Sequence, residues 1–240
     1  MGKDRIVTTA LGRSLFGADG LDPYMEDPAT SWFVHWHLCG RPNKTTWFWA
    51  FSHYPALSFE RETLIKALEK LAKECDWDRA SEATIRRDVT CFVRTYVAQR
   101  SSRQAGQEDA LDSPLTELGL IKQVGKSERF RFVRGQKPSL GAGVFCYAVT
   151  DFWTRFSETA QTLSFETLAH EPGSPGRVFL LDENDVVDML AGLEDVSNGI
   201  YTWSETAGLK QLIRKRELSV EDALDFINLD YAVNDKRDVA

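Results

Sequence analysis

Apolar residues recur at helical spacing in two adjoining stretches, residues 59–75 and residues 82–97. In the second stretch the apolar side is formed by Ile85, Val89, Phe92, Val93 and Tyr96. Ser81 stands just before it and is a typical helix N-cap, while Ser58 is a candidate cap for the first. Because apolar residues three and four apart share one side of a helix, the pattern predicts two amphipathic helices joined by a turn.

A different periodicity follows in residues 120–134. Arginine and phenylalanine alternate through Arg129, Phe130, Arg131 and Phe132, which is typical of a strand with one apolar and one basic face. Gly125 lies in the turn before this strand, so the segment is predicted to form a β-hairpin. A helix pair followed by a basic hairpin is the order of a winged helix-turn-helix, predicted here for residues 58–137.

Other helical patterns flank this core. Residues 1–57 are predicted to form an aromatic-rich N-terminal helical layer, with Trp32, Trp36 and Trp49 among its rings. So many rings indicate either a thick core layer or an interface. Residues 138–240 are predicted to form a C-terminal helical subdomain. The predicted fold class is therefore α+β, mainly α-helical, with no internal repeat visible in the sequence.

Composition sets limits on the class of protein. The chain has 240 residues, 42% hydrophobic and 27% charged, as in ordinary globular proteins. It contains no apolar run near the roughly 20 residues that span a bilayer, and no secretory signal. Four widely spaced cysteines, Cys39, Cys75, Cys91 and Cys146, form no metal-binding pair. These observations predict a cytoplasmic protein that does not enter a membrane.

Charge is distributed unevenly along the chain. The net charge is -7, yet residues 84–137 hold eleven Lys or Arg against six Asp or Glu. A local basic surface on an acidic protein allows double-stranded DNA to bind at one place. The predicted DNA contacts are Ser81, Thr84, Arg86, Arg87, Thr90 and Arg94 on the second helix, and Lys126, Arg129 and Arg131 on the hairpin. The alternative is an ordinary solvated charged surface, with Asp88 paired to a neighbouring arginine.

Catalytic chemistry is weakly indicated. Acidic residues gather at Asp182, Glu183 and Asp185 and again at Glu194 and Asp195, where they could hold Mg²⁺. Helix capping and solubility explain the same residues without a metal. No nucleotide-binding, serine-hydrolase or zinc-protease motif occurs, so no catalytic residue is identified.

Several short motifs occur in a characteristic order. They are Leu11-Gly12-Arg13-Ser14-Leu15-Phe16-Gly17, Gly20-Leu21-Asp22-Pro23-Tyr24, Glu26-Asp27-Pro28-Ala29-Thr30, Arg86-Arg87-Asp88-Val89, Asp112-Ser113-Pro114-Leu115, Lys137-Pro138-Ser139 and Ser174-Pro175-Gly176-Arg177-Val178-Phe179. With them the chain resembles, over nearly its whole length, a bacterial domain-of-unknown-function family. That family includes SspB, the nicking component of a single-stranded DNA phosphorothioation system for defence against phage.

The resemblance implies a function and partners. The role implied by SspB is to nick DNA so that a cysteine desulfurase, an ATPase and an ATP-pyrophosphatase-like protein can install sulfur in its backbone. Members usually carry a further N-terminal region, so the chain is expected to be an N-terminally truncated form. The resemblance supplies no catalytic residue.

Three hypotheses remain open at this point. In the first, the chain is a DNA-binding subunit of phosphorothioation that contributes to metal-dependent nicking, with Mg²⁺ as the candidate metal. Alternatively it is a non-catalytic winged-helix adaptor or transcriptional regulator. The third hypothesis is a protein-interaction module that uses the aromatic layer as its interface.

Overall fold

The described part of the chain folds into α-helices and short β-strands. In this computed structural model, the described residues are 7–77, 80–98, 112–125, 128–206 and 208–238, with side chains described up to Tyr231. The helices are α1 Ala10–Phe16, α2 Pro28–Cys39, α3 Thr45–Ser52, α4 Arg61–Glu74, α5 Glu82–Tyr96, α6 Ala142–Ser157, α7 Phe165–His170, α8 Pro175–Val178, α9 Glu183–Ala191, α10 Leu193–Val196 and α11 Leu224–Asp238. The strands are β1 Ser58–Glu60, β2 Ile121–Gln123, β3 Arg129–Phe132, β4 Thr162–Ser164, β5 Tyr201–Thr206 and β6 Leu209–Arg214.

The N-terminal layer, α1 to α3, supplies much of the aromatic core. Asp27 caps α2 by accepting a hydrogen bond from the Ala29 N–H, and Pro28 occupies the first turn. Trp32, Trp36 and Phe51 are at most 2% exposed. The aromatic residues of α2 therefore form a core layer and leave little apolar surface for a partner.

The first sheet joins β1, β3 and β2 in that order, with antiparallel neighbours. Helices α4 and α5 follow β1 along the chain, and a 3₁₀ turn, Pro114–Leu118, precedes β2. Ser81 caps α5, as predicted, by accepting from the Thr84 N–H. Ser58, the candidate cap for the preceding helix, instead lies in β1, and Glu60 takes the cap position of α4.

The second sheet joins β4, β6 and β5 in the same pattern. Here α6 precedes β4, and α7 to α10 lie between β4 and the β5–β6 hairpin. Residues 138–240, predicted as a helical subdomain, therefore also contain a three-stranded sheet. The overall class is α+β, about half helical, with two small antiparallel sheets.

The two sheets belong to units with one topology. In each unit a helix leads to a short strand, further helices and a hairpin whose second strand pairs with the first strand. Phe130 lies opposite Phe59 at the centre of the first sheet, and Leu212 lies opposite Leu163 at the centre of the second. All four side chains are buried. We call residues 45–132 the first unit and residues 142–214 the second unit.

Helix α11 links the second unit to the N-terminal layer. The Tyr231 hydroxyl lies 2.6 Å from the Thr30 hydroxyl, which in turn donates to the Asp22 carboxylate at 2.6 Å. Buried side chains from all parts of the chain form one continuous core. No helix in the described ranges is long and apolar enough to cross a bilayer.

Candidate nucleic-acid interface

Helix α5 has one buried and one exposed side. Ile85, Val89 and Phe92 are at most 7% exposed and join the core. The opposite side presents Arg87 and Arg94, both exposed. Neither arginine makes an ion pair with any residue that the structure describes. Their guanidinium groups are therefore available to an anion.

Arg86 has a different environment. Its Nη1 lies 2.5 Å from Glu62 Oε1 on α4, and its Nη2 lies 3.3 Å from Glu82 Oε1 one turn earlier on α5. The hydrogen bonds to Glu62 and Glu82 raise the pKa of Arg86 above its ordinary value. The two consecutive arginines therefore differ: Arg86 is held by two carboxylates, whereas Arg87 forms no ion pair with a described residue.

The predicted hydroxyl contacts take part in local hydrogen bonds. Ser81 Oγ accepts from the Thr84 N–H at 3.2 Å and lies 2.9 Å from the Thr84 hydroxyl. Thr90 Oγ1 donates to the Arg86 carbonyl at 2.8 Å. The Ser81 bond caps the first turn of α5, and a hydroxyl that contacts DNA would have to share or exchange its hydrogen bond.

The hairpin presents the expected two faces. Phe130 and Phe132 are buried, and Arg129 and Arg131 between them are exposed. Arg61 at the start of α4 crosses the hairpin, with its guanidinium over the Phe130 ring and its Nε 2.7 Å from Glu128 Oε2. Lys126, also predicted to contact DNA, lies outside the described residues.

The C-terminal end of α5 lies beside the hairpin. A cavity of about 220 Å³ separates them, lined by Arg61, Val93, Val97, Gln123, Glu128 and Phe130. The buried side of α5 therefore lies close to the apolar side of the hairpin, where Val93 and Phe130 line the same cavity.

Lys122 is a basic residue that the sequence pattern did not predict as a contact. It lies on β2, is exposed, and faces Arg131 directly across the sheet. Its signal in the sequence is weak because β2 has only three residues, too few to show an alternation. The pairing with β3 is what places it on the basic face.

The acidic candidates do not form a metal centre. Asp182 caps α9 by accepting from the Asp185 N–H at 2.9 Å, and burial followed by the Asp182 charge raises the pKa of Asp185. Glu183 instead approaches His170 at 3.5 Å. Within the described ranges, no three His, Cys, Asp or Glu side chains come together as ligands. Asp182, Glu183 and Asp185 therefore form no three-ligand metal group within the described residues.

Comparison with known proteins gives a consistent result. The profile of the family described as protein of unknown function, DUF4007, matches residues 2–231. A crystal structure of magnesium ion-bound SspB is 32% identical, with a TM-score of 0.77, covering 95% of this chain and 65% of that one. A second SspB crystal structure is 31% identical, with a TM-score of 0.75 and the same coverage. The chain thus spans 65% of the length of these SspB chains, and no curated protein matches it.

Proposed function

We propose that this chain, which belongs to the DUF4007 family, is an SspB-like component of a DNA phosphorothioation system and binds duplex DNA through its first unit. The 31–32% identity to SspB over 95% of the chain supports the assignment to such a system. The geometry of α5 and the hairpin supports the role in DNA binding.

The order of elements in the first unit supports a winged helix-turn-helix in this proposal. A short strand, two helices and a hairpin follow one another, and the sheet order β1-β3-β2 places the last strand between the other two. In that motif the second helix enters the major groove and the hairpin touches the backbone. Helix α5 and the β2–β3 hairpin occupy the corresponding positions. In this proposal, residues 58–137 are the DNA-binding part, between the N-terminal layer and the C-terminal part.

The observation that best supports DNA binding is a set of exposed arginines that form no ion pair with a described residue. Arg87 and Arg94 on α5 and Arg129 and Arg131 on β3 are exposed, and none forms an ion pair with a described residue. The chain as a whole is acidic, with a net charge of -7. A basic surface on an acidic protein attracts a polyanion to one place and repels it elsewhere.

Strand nicking and the partner proteins belong to the same proposal. The family resemblance implies a cysteine desulfurase, an ATPase and an ATP-pyrophosphatase-like protein as partners. Within that proposal, the arrangement of α5 and the hairpin supports a DNA-holding role for this chain. A plasmid-nicking assay with Mg²⁺ separates a DNA-binding subunit that nicks from a non-catalytic adaptor.

The test is a fluorescence-anisotropy titration of the chain with a short duplex at several salt concentrations. Wild-type binding should weaken steeply with salt, because phosphate contacts release counterions. The Arg87→Ala/Arg94→Ala variant should lose most of the affinity. The Lys210→Ala/Arg216→Ala variant removes the same charge from exposed positions of the second unit and its C-terminal flank, and should bind as wild type does. Failure of the wild-type chain to bind duplex at low salt would overturn the proposal.

A further inference from the structure

We propose that the outer face of the first sheet, formed by Lys122 and Arg131 beside Ser58, is an additional binding surface for the phosphodiester backbone of DNA. This inference rests on the proposed function. It adds Lys122 to the contact set and moves the hairpin's main contact from its tip to the flat side of the sheet.

Two like charges face each other across this sheet. Lys122 on β2 pairs in register with Arg131 on β3, and Ser58 on β1 pairs with Arg131 from the other side. Like charges directly opposite on neighbouring strands destabilise a sheet. Neither cation forms an ion pair with a described residue. An anion placed over the row would relieve the repulsion.

The second unit shows that the fold does not need these charges. With Phe130 matched to Leu212 at the sheet centre, the row Ser58–Arg131–Lys122 corresponds to Thr162–Ile213–Thr202. The second sheet has the same strand order and carries no charge in this row. Because the same architecture forms from threonine and isoleucine, which favour strands, the lysine and arginine have no structural role that the fold requires.

Solubility does not explain the pair either. The chain already has a net charge of -7, so each added cation brings it closer to neutrality. The acid on the same face, Glu60, lies opposite Arg129 one row further along the sheet. The row formed by Lys122 and Arg131 therefore remains positive. A flat positive row on a strand pair fits the spaced phosphates of a nucleic-acid backbone and carries no base-reading geometry.

The second unit supplies the test substitutions. In Lys122→Thr/Arg131→Ile, the first sheet receives the residues of the second. The unfolding midpoint should stay at or above that of the wild type, because the repulsion is removed. Affinity for duplex DNA should fall roughly 10- to 100-fold at 0.1 M salt, and the slope of log affinity against log salt should become shallower by about two. Arg131→Lys keeps the charge and should retain most of the binding.

Two comparisons make the result decisive. Lys210→Thr/Arg216→Thr removes the same net charge outside the first unit and should leave the slope unchanged. If the wild type binds DNA and Arg87→Ala/Arg94→Ala weakens it, while Lys122→Thr/Arg131→Ile folds and binds with the wild-type slope, this inference is wrong and the proposed function stands. If the wild type does not bind duplex DNA, both are overturned.

Discussion

Glu62 on α4 holds the guanidinium of Arg86 on α5 at 2.5 Å, across the turn that joins the two helices. Glu82 adds a second carboxylate at 3.3 Å from the same side chain. The contact fixes the mutual position of the two helices and neutralises one of two consecutive arginines. The neighbouring Arg87 has no such partner within the described ranges, so the two residues should differ in their importance for binding.

We expect Arg87→Ala to weaken duplex binding by about 1–3 kcal/mol, because an arginine that contacts DNA is lost. Arg86→Ala should change the affinity much less than Arg87→Ala does, because its charge is already balanced by Glu62 and Glu82. Anisotropy titrations of the two single variants, under identical salt, measure the difference. Equal losses for both would mean that Arg86 leaves its carboxylates when DNA binds.

The sequence predicted those parts of the site in which the interacting residues are close together along the chain. The apolar spacing and Ser81 predicted α5, and the Arg-Phe alternation predicted the β2–β3 hairpin. Strand β1 was missed because three residues carry no readable period and its partner, β3, lies about 70 residues away. The Arg86–Glu62 pair was missed for the same reason, since 24 residues separate its members.

The shared topology of the two units was also invisible in the sequence. Helix α4 has 14 residues and the corresponding α7 has six, so no constant period relates the two segments. The clearest local likeness is Glu62-Thr63-Leu64 against Glu166-Thr167-Leu168, which begin α4 and α7 in the same register. Three residues are too few to identify a repeat in the sequence, so the likeness becomes visible only in the matching strand orders of the two sheets.

Asp230 on α11 caps the start of α6 from a distance in the chain. Its two carboxylate oxygens accept from the N–H groups of Gly143 and Val144 at 2.9 and 2.7 Å. Asp230→Ala should lower the free energy of unfolding by about 1–3 kcal/mol, because two buried donors lose their acceptors. Chemical denaturation at pH 7 measures this. The exposed Asp225→Ala on the same helix is the control, and an equal effect of both would contradict the capping role.

Asp151 on α6 is fully buried and binds three donors. Arg41 and Arg155 form ion pairs with it, the latter at 3.2 Å, and Trp36 Nε1 donates to Oδ2 at 3.0 Å. Asp151→Ala should cost about 3 kcal/mol of stability, because the two arginines and the indole lose their shared acceptor. Arg155→Met should cost about 1 kcal/mol, since Arg41 still pairs with the carboxylate.

Urea denaturation of both Asp151 and Arg155 variants at pH 7 tests the ranking. A larger loss for Arg155→Met than for Asp151→Ala would show that the cation–π contacts of the Arg155 guanidinium with Trp36 and Phe152 outweigh the buried charge.

His35 makes the stability of the protein depend on pH. It is fully buried on α2, with Nε2 2.8 Å from the Val178 carbonyl and Nδ1 2.8 Å from the Tyr96 hydroxyl. A carbonyl only accepts, so Nε2 carries the proton and Nδ1 accepts from Tyr96 in the neutral ring. Burial lowers the pKa of His35 from 6.5 to about 4, so the folded state disfavours the imidazolium.

The unfolded chain protonates this histidine below about pH 6.5 and therefore binds more protons than the folded chain between pH 6.5 and 4. The contribution of neutral His35 to the free energy of unfolding is fully present above pH 6.5 and is lost as the pH falls towards 4. The shift in its pKa corresponds to a loss of about 3 kcal/mol. His35→Gln should be less stable at pH 7 and lose less stability on acidification. Urea midpoints at pH 7, 6 and 5 measure both, with the exposed His170→Gln as the matched control. An unchanged pH slope in His35→Gln would assign the acid sensitivity to other groups, first among them His37, whose pKa burial also lowers to about 4.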